Sequence, residues 1–306
     1  MSAITHRRPD LQPPRLRLSD PPAATMSAAP TRSVRDAVPA ARPRPPFAVG
    51  LTLAGVAAVG TAVTFFDRSV LLGPAVMKGS VRGTALVMLA VAVPVLLGAM
   101  WSTHRGSERA VIWWLAATAY LLYNSVLLVF ATPFNALYLA YEAMLGLSIA
   151  GVILLLRQLD VTAVAGRLNS AASRPIAAFL GFIALANLLA WLCLIVPALG
   201  EPSPEFLAGT GLITNPIHDQ DLAFWIPAAL IIAVWAWQRR PAGLVLATAY
   251  LGYWLLESIG VATDQWFGST ADPSSSIAGM GGAYLFAGLA VITVVPLVVA
   301  FRRPRR

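Results

Sequence analysis

Two carboxylates, Glu142 and Glu257, stand inside long apolar runs of a chain that is otherwise sparing with charge, and they are the first groups to read for chemistry. Positions i, i+3, i+4 and i+7 of an α-helix share a face. The run 110–131 places Tyr120, Tyr123 and Asn124 on one such face, 134–156 places Asn135, Tyr138, Tyr141 and Glu142, and 242–262 places Tyr250, Tyr253, Trp254 and Glu257. A carboxylate that faces lipid costs about 2.5 to 3.5 kcal/mol on insertion scales, so such groups face a bundle interior or a water-filled cavity. With tyrosine hydroxyls and the Asn124 amide as hydrogen-bond partners, the stripes suit an outward-facing site for a cation, a proton or a small polar ligand. The competing reading is a hydrogen-bonded pair that only ties helices together.

A second cluster, His218-Asp219-Gln220-Asp221, puts an imidazole beside two carboxylates in an expected outer loop. Those types bind a metal weakly or sense pH. The placement just before an apolar run favours a plainer role, Asp221 as a helix N-cap and the rest as solvated charge. Asn187, mid-way along its run, reads as interhelical glue. Several chemistries are disfavoured. The histidines, His6, His104 and His218, lie outside the apolar runs, against haem held between paired intramembrane histidines. The only lysine, Lys78, also lies outside, against a retinal-type Schiff base. Cys193 is alone, which removes a disulfide or Cys-x-x-Cys site, and neither G-x-x-x-x-G-K-[ST] nor H-E-x-x-H occurs. No cofactor and no nucleophile-base set is expected, and an enzyme ranks third among the functions considered.

The elements that must hold these residues follow from composition. With 58% apolar and 12% charged residues and a mean hydropathy of +0.70, the chain reads as an all-α membrane protein. Eight spans of about 20 residues, each able to cross a ~30 Å hydrocarbon core, are expected at roughly 47–65, 81–100, 110–131, 134–156, 176–199, 222–237, 242–262 and 280–301. Their connections divide the basic residues nineteen to three in favour of the side that holds both termini, which makes that side the cytoplasm. The outer side keeps Arg68, Lys78 and Arg82, and the Gly73-Pro74 pair there argues against a regular helix over 66–80. The tight connection 131–134 folds the third and fourth spans into a hairpin that sets Asn124 and Glu142 at similar depth. They are expected to meet, which makes Glu142 the first titrating candidate and Glu257 the next. "ATAYLLY" at 117–123 returns as "ATAYLGY" at 247–253, and Pro94 has a counterpart in Pro227, a pattern suggesting two parallel four-helix repeats.

Residues 1–46, with ten prolines and eight arginines, read as a disordered basic cytoplasmic tail rather than a signal peptide, and 302–306 as a basic cytoplasmic end. The basic residues carry no nucleic-acid-binding motif, so the expected partners are the lipid bilayer and a small polar ligand or ion; no protein partner is indicated. The segments "YLLYNSVLLVFATPFNALYLAYEAMLGLSIAGVILLL" and "TNPIHDQDLAFWIPAALIIAVWAWQRRPAGLVLA" resemble stretches of uncharacterised bacterial multi-spanning membrane proteins. That resemblance implies the same topology in a bacterial plasma membrane and assigns no site. The leading expectation is a membrane protein that binds or passes a small polar solute or ion at a seam of the third, fourth and seventh spans; an accessory subunit of a membrane complex is the alternative.

Overall fold

The computed structural model describes residues 45–302; the expected tail lies outside them except for Pro45 and Pro46, which open the first helix, where proline is tolerated. Eight helices are long and apolar enough to cross a bilayer, and no strand occurs among the described residues. They are α1 Pro45–Phe66, α2 Ala75–His104, α3 Ala110–Phe130, α4 Tyr138–Gln158, α5 Ser170–Ala198, α6 Pro216–Trp237, α7 Pro241–Ala271 and α8 Met280–Phe301. The fold is all-α.

Leu51, Val59, Leu139, Phe182, Leu189, Val291 and Val295 are exposed, while Thr61, Thr64, Thr118, Ser125, Thr248 and Thr293 are buried. That pattern suits a hydrocarbon solvent, in which apolar side chains lose nothing by facing out and polar groups must be satisfied within the bundle. Accordingly Thr61, Thr118, Ser125 and Thr248 each donate to the carbonyl one turn back, at 2.6, 2.8, 2.5 and 2.7 Å.

Three helices run well beyond expectation at the end of the bundle away from Pro45 and Arg302, while α4 begins four residues late, at Tyr138. Pro74 sits at the N-cap of α2 with Gly73 at φ 99° before it, so the pair starts a helix at Ala75 instead of preventing one. Asn215 caps α6 by accepting from Ile217 N at 3.0 Å, and Pro216 fills the first turn, so that helix begins well before residue 222. Finally, α7 runs on to Ala271, 31 residues in all. What carries it on is packing against α2. A Cβ at Gly79 would lie 2.5 Å from Phe267 O, and one at Gly83 would lie 2.6 Å from Thr263 O, so these glycines, four apart, let the two backbones approach as a small-xxx-small face.

Both α2 and α6 are interrupted by a π turn, at Met88–Ala92 and Asp221–Trp225, followed at the next position but one by Pro94 and Pro227. Proline lacks an N–H and its ring collides with the carbonyl a turn earlier; widening that turn accommodates both effects. The two breaks share one offset of 133 residues, an echo in backbone geometry of the echo in sequence. The halves do not pack alike, however. Helices α2 and α7 are in close contact, whereas α3, α4 and α6 leave a largely apolar groove of about 1280 Å³ between them.

Helix α4 leans on α1 and α3. Tyr141 is fully buried and its hydroxyl lies 2.8 Å from that of Thr64 on α1. Removing the hydroxyl in Tyr141→Phe is expected to cost about 0.6 kcal/mol, the average for such bonds in membranes, as measured by reversible unfolding in lipid or detergent micelles. No change in ligand response should accompany it.

Candidate functional site

Helix α3 supplies the centre of the site. The Asn124 amide, 2% exposed, commits both hydrogens: one goes to Tyr120 O at 3.1 Å and the other to Glu257 Oε2 at 2.9 Å. The expected pairing of Asn124 with Glu142 does not form. Thr118, against which Gly151 of α4 packs, lies about 120° around α3 from Asn124 at the helical pitch, so the face that meets α4 is not the one that carries Asn124. Depth brought Asn124 and Glu142 to the same level, but helix rotation separated them. Glu142 and Tyr138 are half-buried neighbours in the first turns of α4 and do not line the cavity that holds Glu257, and Tyr141 serves the α1–α4 contact. Helix α4 is therefore not part of the seam; α2, α5 and α6 are, together with α3 and α7.

Two further carboxylates join Glu257. Asp264 lies seven residues further along α7 and so on the same face, half-buried, with its Oδ1 buried and without a protein partner. Asp221, 5% exposed in the π turn of α6, accepts from Trp191 Nε1 at 2.8 Å and Asn187 Nδ2 at 3.2 Å, both on α5. Asp221 is thus no N-cap; Asn215 has that role, and the extra residue of the π turn re-aims the helix face beyond it. Asp221, Glu257 and Asp264 line one cavity of about 180 Å³ with Tyr123, Tyr250, Tyr253 and Trp254. The Trp254 indole N–H is buried without a partner, as is the Tyr120 hydroxyl, which lies where a Cβ on Gly260 would come within 2.8 Å of it. Tyr250 donates to Trp225 O at 3.1 Å and Tyr253 stacks on the Trp225 ring at 4.5 Å, so these two tyrosines form a braced aromatic wall.

The cavity extends towards the end of the bundle away from Pro45 and Arg302. A second space of about 370 Å³ shares Thr84, Asn124, Trp191, Asp264 and Gln265 with the first and reaches beneath the segment 205–215 and Ser276-Ile277. His218 lines it, buried, with its ring 4.4 Å from that of Trp191 and 5.4 Å from that of Phe206. Of the outer cluster, then, Asp221 belongs to the seam and His218 to the approach, while exposed Asp219 borders the apolar groove on the other side of α6.

No protein-family model matches the chain, and no curated protein or solved structure matches it. The chemistry of the seam has to be taken from its own residues.

That chemistry is anionic. No lysine or arginine lines either cavity, and the one ion pair among the described residues, Arg167 Nε to Glu108 Oε2 at 2.6 Å, is formed by exposed groups between spans, where Glu108 raises the Arg167 pKa. Burying a carboxylate without a counter-charge is costly unless hydrogen bonds, a proton or a cation offset it. Asp221 has two donors and Glu257 one, and the Asp264 carboxylate has an oxygen with none. No group of three or more His, Cys, Asp and Glu able to hold a metal ion together occurs among the described residues, so the acids reach the cavity singly. Reading by residue type missed Asp264, assigned to a loop, and Trp191; the spacing of Asp264 from Glu257 was the available signal, and the Asn215-Pro216 start of α6 was the signal for Asp221.

Proposed function

We propose that the chain is a multi-pass protein of a bacterial plasma membrane that binds a small cation at the seam of α3, α6 and α7 and gives it passage to or from the outer face. The observation that carries this reading is that Asp221, Glu257 and Asp264, each singly, line one cavity that no basic side chain lines. Intramembrane carboxylates of this kind mark ion or proton routes, and the aromatic wall of Tyr250, Tyr253 and Trp254 adds ring faces that attract cations. Asp264 Oδ1, buried without a protein partner, gives a cation a further ligand. The alternative, an accessory subunit whose acids only pack helices, draws support from Asp221, which two neighbours already satisfy.

The test is thermal unfolding of the purified protein in sodium, potassium, lithium or methylammonium chloride, against equal concentrations of bulky N-methylglucamine chloride. A cation that binds the native state adds about 2.7 kcal/mol at a hundredfold excess over its Kd. Equal stability in all five salts would remove the proposal in favour of the packing role.

The side on which the approach opens depends on orientation. The lopsided arginine count supports cytoplasmic termini. Reporter fusions or cysteine labelling should place both ends, and the connections holding Arg105, Arg167 and Arg239, on the cytoplasmic side. Labelling of the 205–215 segment from that side would invert the proposed route.

A further inference from the structure

We infer that the protein carries a separate site for a phosphate group on its outer face, between the start of α2 and the end of α7. Arg68, Lys78 and Arg82, the basic residues of the outer side, all line one cavity of about 530 Å³, and no acidic side chain lines it. Their convergence is not forced by sequence, since Arg68 precedes α2 and the other two occupy its first turns.

Each of the three is left free to meet an anion. The Arg82 guanidinium is anchored through Nε to Phe65 O at 3.1 Å and lies 5.3 Å from the Phe65 ring and 6.0 Å from that of Phe267, a clamp that orients the group while leaving its terminal nitrogens without a protein acceptor. Arg68 lines the same cavity as Arg82, so two guanidinium groups share one space, an arrangement that an anion between them would balance. The nearest acid in sequence, Asp67, is bound to Ser69 through N at 2.9 Å and Oγ at 2.6 Å, and those bonds hold its carboxyl below the ordinary range, as a charge paired locally and outside the cavity. The uncapped N-terminus of α2 adds its positive dipole end, with Ala75 and Gly79 in the cavity wall.

Depth narrows the ligand. Trp266, exposed in the last turns of α7, lines the same cavity, and exposed tryptophans at span ends sit at headgroup level. Arg82 lies about 10 Å along α2 from Ala75, within reach of the interface for a long basic side chain. Guanidinium groups with an ammonium and a helix N-terminus recognise phosphate oxygens. The phosphate can come from an anionic phospholipid headgroup or from a soluble phosphate, and the two sources are separated as follows.

Full-length protein, wild type beside Arg68→Gln/Lys78→Gln, is reconstituted with phosphatidylcholine alone or with one-fifth phosphatidylglycerol, and retained lipid is counted by native mass spectrometry. In parallel, detergent-purified protein is titrated with inorganic phosphate against chloride of equal ionic strength, read by thermal shift. These two residues are outside the Phe65 clamp, so the double variant should fold; Arg82→Gln is added only where it elutes as wild type. Retention of about one phosphatidylglycerol per chain, reduced at least fivefold in the double variant, assigns a headgroup. A phosphate-specific rise in melting temperature lost in that variant assigns a soluble phosphate. Absence of both effects, or effects equal in wild type and variant, overturns the site. Since none of the three residues lines the seam, either outcome is independent of cation binding.

Discussion

Glu257→Gln is expected to lower cation affinity at least tenfold while the protein still folds, and Asp264→Asn to do the same. Glutamine keeps the shape of the side chain and leaves an oxygen to accept from Asn124, so the 2.9 Å bond survives the loss of charge. The lost attraction between a carboxylate and a cation at about 4 Å is about 4 kcal/mol at an effective dielectric constant of 20. Solvent access through the adjoining space and the two remaining acids reduce that figure, which is why tenfold is the floor. Asp221→Asn should have a smaller effect on affinity, because Trp191 and Asn187 already hold that carboxylate, and a larger one on stability. The informative control is Glu142→Gln. Sequence spacing makes Glu142 the first candidate, yet it lines neither cavity, so its variant should titrate within twofold of wild type. If Glu142→Gln lost the cation response while Glu257→Gln and Asp264→Asn kept it, the site would lie on α4 and the seam would be structural.

Gly83→Leu is expected to prevent the bundle from closing. Its Cβ would meet Thr263 O at 2.6 Å and the Asp264 backbone at 2.8 Å, atoms that no rotamer change can move. Overpacking against side chains costs about 1 to 3 kcal/mol, and a backbone-to-backbone clash in the α2–α7 contact should exceed that. The measurement is the yield of monodisperse protein and its melting temperature. Gly55→Leu supplies the comparison, since a Cβ there meets nothing within 4 Å, and it should behave as wild type. Gly83→Ala carries the same Cβ, so it too should lower yield and melting temperature, by less than leucine because it adds no further atoms, and the displacement of α7 should move Asp264 relative to Glu257 and lower cation affinity as well. Unchanged yield for Gly83→Leu would mean that α2 and α7 are not held together at this face.

Composition and the lengths of the apolar runs were sufficient for the all-α class and for eight helices able to cross a bilayer, because the hydrocarbon thickness and the need to satisfy every backbone group leave little else to choose. Helical periodicity was sufficient for the stripes on α3 and α7, and Tyr120, Tyr123, Asn124, Tyr250, Tyr253 and Glu257 do come together. Three things were decided only by tertiary structure. The rotation of α3 against α4, fixed by the contact of Thr118 with Gly151, gave Asn124 to Glu257 and left Glu142 outside. The glycine face of α2, invisible to hydropathy, drew α7 out to Ala271 and so turned a loop aspartate, Asp264, into a lining residue of the seam. The Asn215 cap and Pro216 put Asp221 inside a span instead of at its cap, and the π turn before Pro227 interrupts the helix there. In each case the sequence sets what a helix offers on its faces, while the direction in which a face points depends on which small residues let a neighbour come close.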